Sequence, residues 1–124
     1  MKNFKFKEGV AKHELSKLHH NMLYLLYIVS KYAEEHRLNI EITSLIGDRD
    51  GIKPSSTTHS EGRAVDISVR GWDLSEIEQF VKYLNSGQPF THQVAAISAS
   101  DFQPRAAIYH DAGYGAHIHL QVRR

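Results

Sequence analysis

The sequence predicts an α+β fold in which two helices pack on a mostly antiparallel sheet. Two long stretches carry apolar residues three or four positions apart, which is the period of a helix. Shorter stretches rich in β-branched residues alternate between apolar and polar, which is the period of a strand. The chain has 124 residues, of which 41% are hydrophobic and 23% are charged. These values suit one domain, over residues 1–124, with one hydrophobic core.

The first predicted helix is long and runs from Lys12 to about Arg37. Its apolar stripe consists of Leu15, Leu18, Met22, Leu25, Leu26 and Val29. Such a stripe is typical of a helix that covers a core, so we give it no functional role. The second predicted helix is capped by Asp73 or Ser75 and ends near Asn85. Its predicted buried face consists of Leu74, Ile77, Phe80, Val81 and Leu84.

The predicted strands lie in the middle and at the C-terminal end of the chain. They cover Asn39–Leu45, Arg63–Val69 and Val94–Ile97, followed by a hairpin of Ala106–His110 and Ala116–Val122. The connection 111–115 contains glycine and has the length of a hairpin loop. Residues 47–58 are rich in glycine, aspartate, proline and hydroxyl side chains, which predicts a loop.

Composition excludes several classes of function. The chain has no cysteine, which removes disulfides, thiolate nucleophiles and cysteine zinc sites. A net charge of +1 gives no support for nucleic acid binding. The most apolar stretch, Met22–Val29, is too short to span a bilayer, so we expect no membrane partner. The basic N-terminus is not followed by an apolar segment, so we predict no signal peptide and synthesis in the cytoplasm.

Histidine is the unusual residue, with nine in the chain. His117 and His119 are two apart on a predicted strand and therefore project from the same side. His59 precedes a second strand that contains Asp66, and Gly62 allows the chain between them to turn. Two histidines and one carboxylate form a ligand set suited to zinc, with a fourth position left for water. The pair of histidines alone is more often two satisfied or exposed side chains than a metal site.

A spaced double motif carries a resemblance to a known family: His59-x-x-Gly62-x-Ala64-x-Asp66, followed by His117-x-His119. It resembles the signature of the zinc D-Ala-D-Ala carboxypeptidase and L-Ala-D-Glu endopeptidase superfamily, which includes small phage endolysin peptidases and shares its fold with the hedgehog signalling domain. The family motif is S-x-H-x-x-G-x-A-x-D, and Thr57 stands here in place of the serine. The resemblance extends over roughly residues 12–122 and implies the hedgehog/DD-peptidase fold.

The resemblance implies one zinc ion bound by His59, Asp66 and His119. It also implies that His117 is the catalytic base, because Ala116 stands where other branches of the family have a carboxylate. In an alternative register His117 is the ligand, but the residues that follow His119 are more similar to those that follow the family's ligand. Glu61, inside the motif, is a second candidate for the base.

The expected substrate contacts match the family's sequence pattern only in part. The family implies a role for Ser44 and Thr57, but its Gly-Tyr-Arg sequence after Thr43-Ser44 is replaced by Leu-Ile-Gly. Arg49 is the expected substitute for the missing arginine, although an exposed loop arginine is an equally good interpretation. His110 faces the last strand across the predicted hairpin and is a candidate for the wall of the cleft.

The resemblance implies a monomeric zinc metallopeptidase in which zinc-bound water attacks peptide bonds in peptidoglycan stem peptides. The expected type is an L-Ala-D-Glu endopeptidase or a D,D-carboxypeptidase, made as a phage lysis or virion enzyme and released to the cell wall or carried in a phage particle. The alternative is a non-catalytic zinc-binding structural or interaction domain of the same fold, such as a phage particle component. The missing carboxylate and the missing arginine favour this alternative.

Overall fold

The computed structural model of the chain describes residues 3–10, 12–45, 61–86, 93–98, 102–111 and 116–124. Within them the chain forms an α+β fold with two α-helices and a mixed five-stranded sheet, so the predicted fold class is confirmed. The helices are α1 (His20–His36) and α2 (Leu74–Asn85), and a 3-10 helix (Lys12–Lys17) precedes α1. The strands are β1 (Phe4–Phe6), β2 (Ile40–Ser44), β3 (Ala64–Ser68), β4 (Ala96–Ile97), β5 (Pro104–Arg105), β6 (Ala107–Asp111) and β7 (Ala116–Gln121).

The main sheet has the strand order β1-β2-β3-β7-β6. Strand β1 pairs with β2 in parallel, and the other three pairings are antiparallel. Strands β4 and β5 form a separate two-stranded sheet. The predicted central strands and the C-terminal hairpin are therefore present, whereas the predicted strand at 94–97 is reduced to its last two residues. Among the described residues, no helix is long and apolar enough to cross a membrane.

The long N-terminal helix predicted from Lys12 is wrong in its first part. The α-helix begins only at His20, because His19 has extended backbone angles and its side chain caps the helix by accepting the Asn21 N–H at 3.1 Å. Burial and the neighbouring His20 lower the pKa of His19, which keeps its Nδ1 in the form that accepts this bond. A 3-10 helix also places residues three apart on one face. Leu15 in this helix and Leu18 directly after it, whose N–H donates to the Leu15 carbonyl at 3.3 Å, therefore fit the apolar stripe without belonging to the α-helix.

Strand β1 was not predicted. It is only three residues long, with Phe4 and Phe6 partly buried on either side of an exposed Lys5. Its partners are Ile40 and Ile42 of β2, so its position depends on a contact that is distant in sequence. Three alternating residues are too few to be recognised as a strand without that partner.

The start of α2 follows its predicted capping pattern. Asp73 accepts the Glu76 N–H at 2.8 Å, and the Glu76 side chain accepts the Asp73 N–H at 3.0 Å, which is a complete capping box. Ile77, Phe80 and Leu84 are buried as predicted. Leu74 is 60% exposed, so its predicted burial is wrong. It is the first helical residue and lies outside the face that contacts the sheet.

The sheet has two different faces. One face, with Ile42 of β2, Ile67 of β3 and Ile118 of β7, belongs to the same buried cluster as the apolar faces of α1 and α2. The opposite face carries the polar residues that alternate with them, including Asp66, which is partly accessible. We call this second side the polar face. The helices thus cover one side of the sheet, and the residues with reactive side chains lie on the other.

Gly62 joins the start of β3 to the start of α1. Its φ of +73° lies in the left-handed region, and its carbonyl accepts the His19 N–H at 3.0 Å. A Cβ atom at this position would lie 2.7 Å from the Lys17 carbonyl oxygen and 3.0 Å from the His19 nitrogen. Both neighbours are backbone atoms, so a side chain can be accommodated only if the two segments move apart.

Gly62→Ala is therefore expected to destabilise the protein by about 2–4 kcal/mol, which combines left-handed strain with backbone overlap. The matched control is Gly71→Ala, because Gly71 has a φ of +87° but a Cβ atom added there would meet nothing within 4 Å. That variant should lose only the contribution of the left-handed conformation, about 1–2 kcal/mol. Urea unfolding of the three proteins measures the difference. Equal losses for the two alanine variants would show that the contact with α1 contributes nothing.

Candidate metal centre

The strand register brings the predicted site residues into two rows on the polar face. In the first row, Ser44 of β2 lies opposite Asp66 of β3, and Asp66 lies opposite His119 of β7. In the second row, Ser68 lies opposite His117, and His117 lies opposite His110 of β6. Directly opposite residues of antiparallel strands project from the same face, so each row forms a line of neighbouring side chains. The predicted same-side placement of His117 and His119 is confirmed.

The centre of the first row is a contact between two predicted metal ligands. The Nδ1 atom of His119 lies 2.9 Å from Oδ1 of Asp66, and each side chain is 18% exposed. Zinc holds nitrogen and oxygen ligands at about 2.0–2.1 Å, so two donors of a tetrahedral site lie about 3.3 Å apart. The pair therefore needs only a small adjustment to bind one ion. Its partial exposure leaves a route for solvent and ligands.

The other predicted residues at this centre are not all described. His59, Thr57 and Arg49 lie outside the described residues. Within the ranges that the structure describes, no group of three histidine, aspartate or glutamate side chains is arranged to hold a metal. Asp66 and His119 therefore supply two donors of the predicted set. Their chemistry, one imidazole and one carboxylate, fits zinc.

The chain that leads from the motif into β3 is held at several points. Arg63 makes two hydrogen bonds with Val122. The Val122 N–H donates to the Arg63 carbonyl oxygen at 2.9 Å, and the Arg63 Nη1 donates to the Val122 carbonyl oxygen at 3.0 Å. Together with the bond between Gly62 and His19, these contacts fix the backbone immediately before Asp66. The direction of Asp66 is thus set by strands and anchors on both sides.

Glu61 is unsuited to act as a general base. It accepts hydrogen bonds from Arg124, with Nε at 2.9 Å and Nη2 at 3.1 Å, and from Arg63 Nη2 at 2.8 Å. The Arg124 bonds, followed by those of Arg63, lower the pKa of the Glu61 carboxyl to about 2. Such a carboxylate has little tendency to accept a proton near neutral pH. The sequence did not indicate this role, because Glu61 and Arg124 are 63 residues apart.

His117 and His110 form a second pair beside the first. Their ring centres are 4.2 Å apart, and the ring planes meet at 65°. The predicted position of His110, facing the last strand across the hairpin, agrees with the register in which His110 pairs with His117. His117 is partly buried and His110 is exposed. The imidazole of His117 is therefore next to the Asp66–His119 pair and still accessible.

Ser44 has an unusual hydroxyl group. Its Oγ atom is buried and has no hydrogen-bond partner among the described residues. Buried hydroxyls are usually bonded, so this one is an exception among the described residues, and it lies next to Asp66 in the first row. This placement is consistent with the substrate contact predicted for Ser44.

A separate cleft of about 430 Å³ lies between α2 and the edge strand β6. Val81 and Lys82 line one side of it, and Arg105 and Tyr109 line the other. Among the described residues, none of the predicted ligands contributes to its lining. Sequence reasoning missed this cleft because its residues form no motif and meet only through the packing of α2 on β6.

Comparisons with known proteins give no relative: no family model, no curated protein and no solved structure matches this chain. The superfamily implied by the double motif therefore remains a prediction from the sequence.

Replacing Ser44 by alanine should leave the stability of the metal-free protein unchanged or raise it by up to about 1 kcal/mol, because it removes a buried hydroxyl that has no partner among the described residues. The matched control is Ser68→Ala, which changes a serine of β3 on the same polar face. The Ser68 Oγ accepts the Arg70 N–H at 3.1 Å, so this variant should lose about 0.5–1.5 kcal/mol. Chemical unfolding in the presence of a chelator compares them. A clear loss of stability for Ser44→Ala would mean that its hydroxyl is bonded in the protein.

Proposed function

We propose that this protein is a zinc-dependent peptidase that hydrolyses peptide bonds in peptidoglycan stem peptides, as an L-Ala-D-Glu endopeptidase or a D,D-carboxypeptidase. The observation that carries the proposal is the contact between Asp66 and His119. These two residues are 53 positions apart in sequence, and their donor atoms lie 2.9 Å apart on the polar face. Each belongs to a different half of the double motif, so the fold brings the two halves together.

In this proposal the metal is held by Asp66, His119 and His59. When bound, zinc would acidify a coordinated water and polarise the scissile carbonyl. In the metal-free protein, Asp66 holds the imidazole of His119 beside it through their contact, so the two proposed donors are already adjacent. The partial burial of both side chains lowers the local dielectric constant and strengthens their interaction with a cation.

His117 is the proposed general base. It lies two residues before His119 on β7, so the backbone positions of the two histidines are about 6.6 Å apart along the strand. In the register favoured here His119 is the ligand, and His117 on the same face of β7 is within reach of a nucleophile and a substrate held beside the metal. An imidazole is suited to accept a proton near neutral pH. Within the motif, Ala116 and the arginine-bound Glu61 leave this task to His117.

The proposal of a peptidoglycan substrate rests on the sequence motif alone. The family resemblance in residues 57–66 and 117–119 supports a peptidoglycan substrate, with Ser44, Thr57 and Arg49 as proposed contacts. It also supports a phage lysis or virion enzyme that reaches the cell wall after synthesis in the cytoplasm. The buried hydroxyl of Ser44, which has no partner among the described residues, is consistent with a contact to substrate.

A second candidate is a non-catalytic zinc-binding structural or interaction domain. Two observations favour it: the carboxylate of Glu61 is engaged by two arginines, and Ala116 stands where other branches of the family have a carboxylate. The two candidates share the metal and differ in whether bonds are cleaved.

Purified protein loaded with zinc is expected to release new peptide termini from peptidoglycan, and a chelator should abolish the release. Mass spectrometry of digests of several wall chemotypes detects the termini and identifies the bond. Asp66→Ala should weaken zinc binding by more than about 100-fold, because changes in the outer shell alone commonly reduce affinity 10–100-fold. Zinc binding without cleavage of any wall type would support the structural alternative, and failure to bind zinc would overturn both.

His117→Asn should keep the zinc content and lower kcat by about 10²–10⁴-fold, because it removes a proton acceptor without removing a ligand. The control is His36→Asn, which changes an exposed histidine at the end of α1. Metal analysis and steady-state kinetics on the same samples separate the two effects. If His117→Asn loses the metal instead, His117 is the ligand and the alternative register is correct.

A further inference from the structure

The pair of His110 and His117 has the features of a metal site of its own. The two residues are directly opposite in the antiparallel β6–β7 pairing, and both project from the polar face. Their rings are already in contact, with centres 4.2 Å apart. His110 is exposed, so solvent ions have access to the pair.

The distance between the rings is compatible with one shared ion. A ring nitrogen lies about 1.1 Å from the ring centre and binds zinc at about 2.0–2.1 Å, so two imidazoles on a tetrahedral ion have centres about 5 Å apart. The observed separation is 4.2 Å. An opening of about 1 Å is therefore enough, and an exposed histidine on an edge strand can provide it by a small change in its side-chain torsions.

A histidine pair elsewhere in the chain shows why ring contact alone is insufficient. The rings of His19 and His20 are also 4.2 Å apart, but they are stacked at 28°. Nδ1 of His19 accepts the Asn21 N–H, so that nitrogen is occupied by the helix cap. The steeper angle of the His110–His117 pair and its cross-strand placement allow both rings to turn an edge towards one point.

We propose that His110 and His117 form a second, weaker binding site for a divalent first-row metal ion, next to the Asp66–His119 pair. Imidazole nitrogens favour Cu²⁺ over Ni²⁺ and Zn²⁺. Two protein ligands leave the remaining positions to water, so the affinity is lower than at a site with three protein ligands. The proposed ligands of this site are His110 and His117, which pair across β6 and β7, whereas His119 is in contact with Asp66.

This second site has a consequence for activity, which rests on the proposed function. An ion bound between His110 and His117 occupies the imidazole that the proposed reaction uses. Zinc at low concentration then fills the stronger site and activates, and zinc in excess fills the His110–His117 site and inhibits. His110 thus makes the proposed base sensitive to the concentration of free metal.

Binding is tested with the metal alone, by calorimetric titration of Zn²⁺ and by electron paramagnetic resonance with Cu²⁺. The wild-type protein should show a weak event with nitrogen coupling from two imidazoles. His110→Ala should weaken that event at least tenfold, and His20→Ala, the matched control, should leave it unchanged. Asp66→Ala should lose the strong zinc event and keep the weak one. An absent weak event, a weak event unaffected by His110→Ala, or its loss in Asp66→Ala would each overturn the second site.

Activity tests the inhibition separately. The zinc dependence of peptide release by the wild-type protein should rise and then fall, and His110→Ala should lose the fall. If the protein cleaves no peptidoglycan, the proposed function fails and the binding titrations alone decide whether the second site exists. If cleavage occurs and excess zinc inhibits the wild type and His110→Ala equally, the inhibitory role of the pair is wrong.

Discussion

The pairing of β3 with β7 is the constraint on which the candidate site depends. Val65 and Ile67 of β3 lie opposite Leu120 and Ile118 of β7, and all four side chains are buried. A shift of one residue in this register would turn the apolar side chains to the polar face and the polar ones into the core. The core on one side of the sheet therefore determines which polar residues meet on the other side. The contact between Asp66 and His119 follows from that register.

The ends of β3 and β7 are fixed by contacts that do not involve the metal. Gly62 allows its backbone to approach the start of α1, and Arg63 connects the start of β3 to Val122 after β7. In the sequence Gly62 suggested a turn that brings a histidine and a carboxylate together. The structure adds a packing reason, since a Cβ atom would overlap backbone atoms of residues 17–19. A glycine in a metal motif can thus be required by the scaffold as much as by the ligands.

The sequence predicted those parts of the fold that have a strong local pattern. The strand pattern identified β3, β6 and β7, and the period of two placed His117 and His119 correctly on one face, because it fixes direction without knowledge of the partner strand. The beginning of α1 was missed because a 3-10 helix shares the three-residue spacing, and β1 because its stability depends on β2. The ion pair of Glu61 with Arg124 depends on a contact between distant residues, so no local pattern predicts it. The burial of the Ser44 hydroxyl, which has no partner among the described residues, likewise depends on how the chain packs.

The Asp66–His119 contact also affects how readily the centre can bind a metal. Without metal, the two side chains satisfy each other through a hydrogen bond that involves a charged group, which contributes about 1.5–3 kcal/mol. Structural zinc sites release about 10–16 kcal/mol on binding, so breaking this bond removes only a small part of the affinity. The contact holds both donors within about half an ångström of the spacing that a tetrahedral ion requires. The fold therefore holds the two proposed ligands close to the spacing that zinc requires, because the same bond that satisfies them in the metal-free protein also sets their separation.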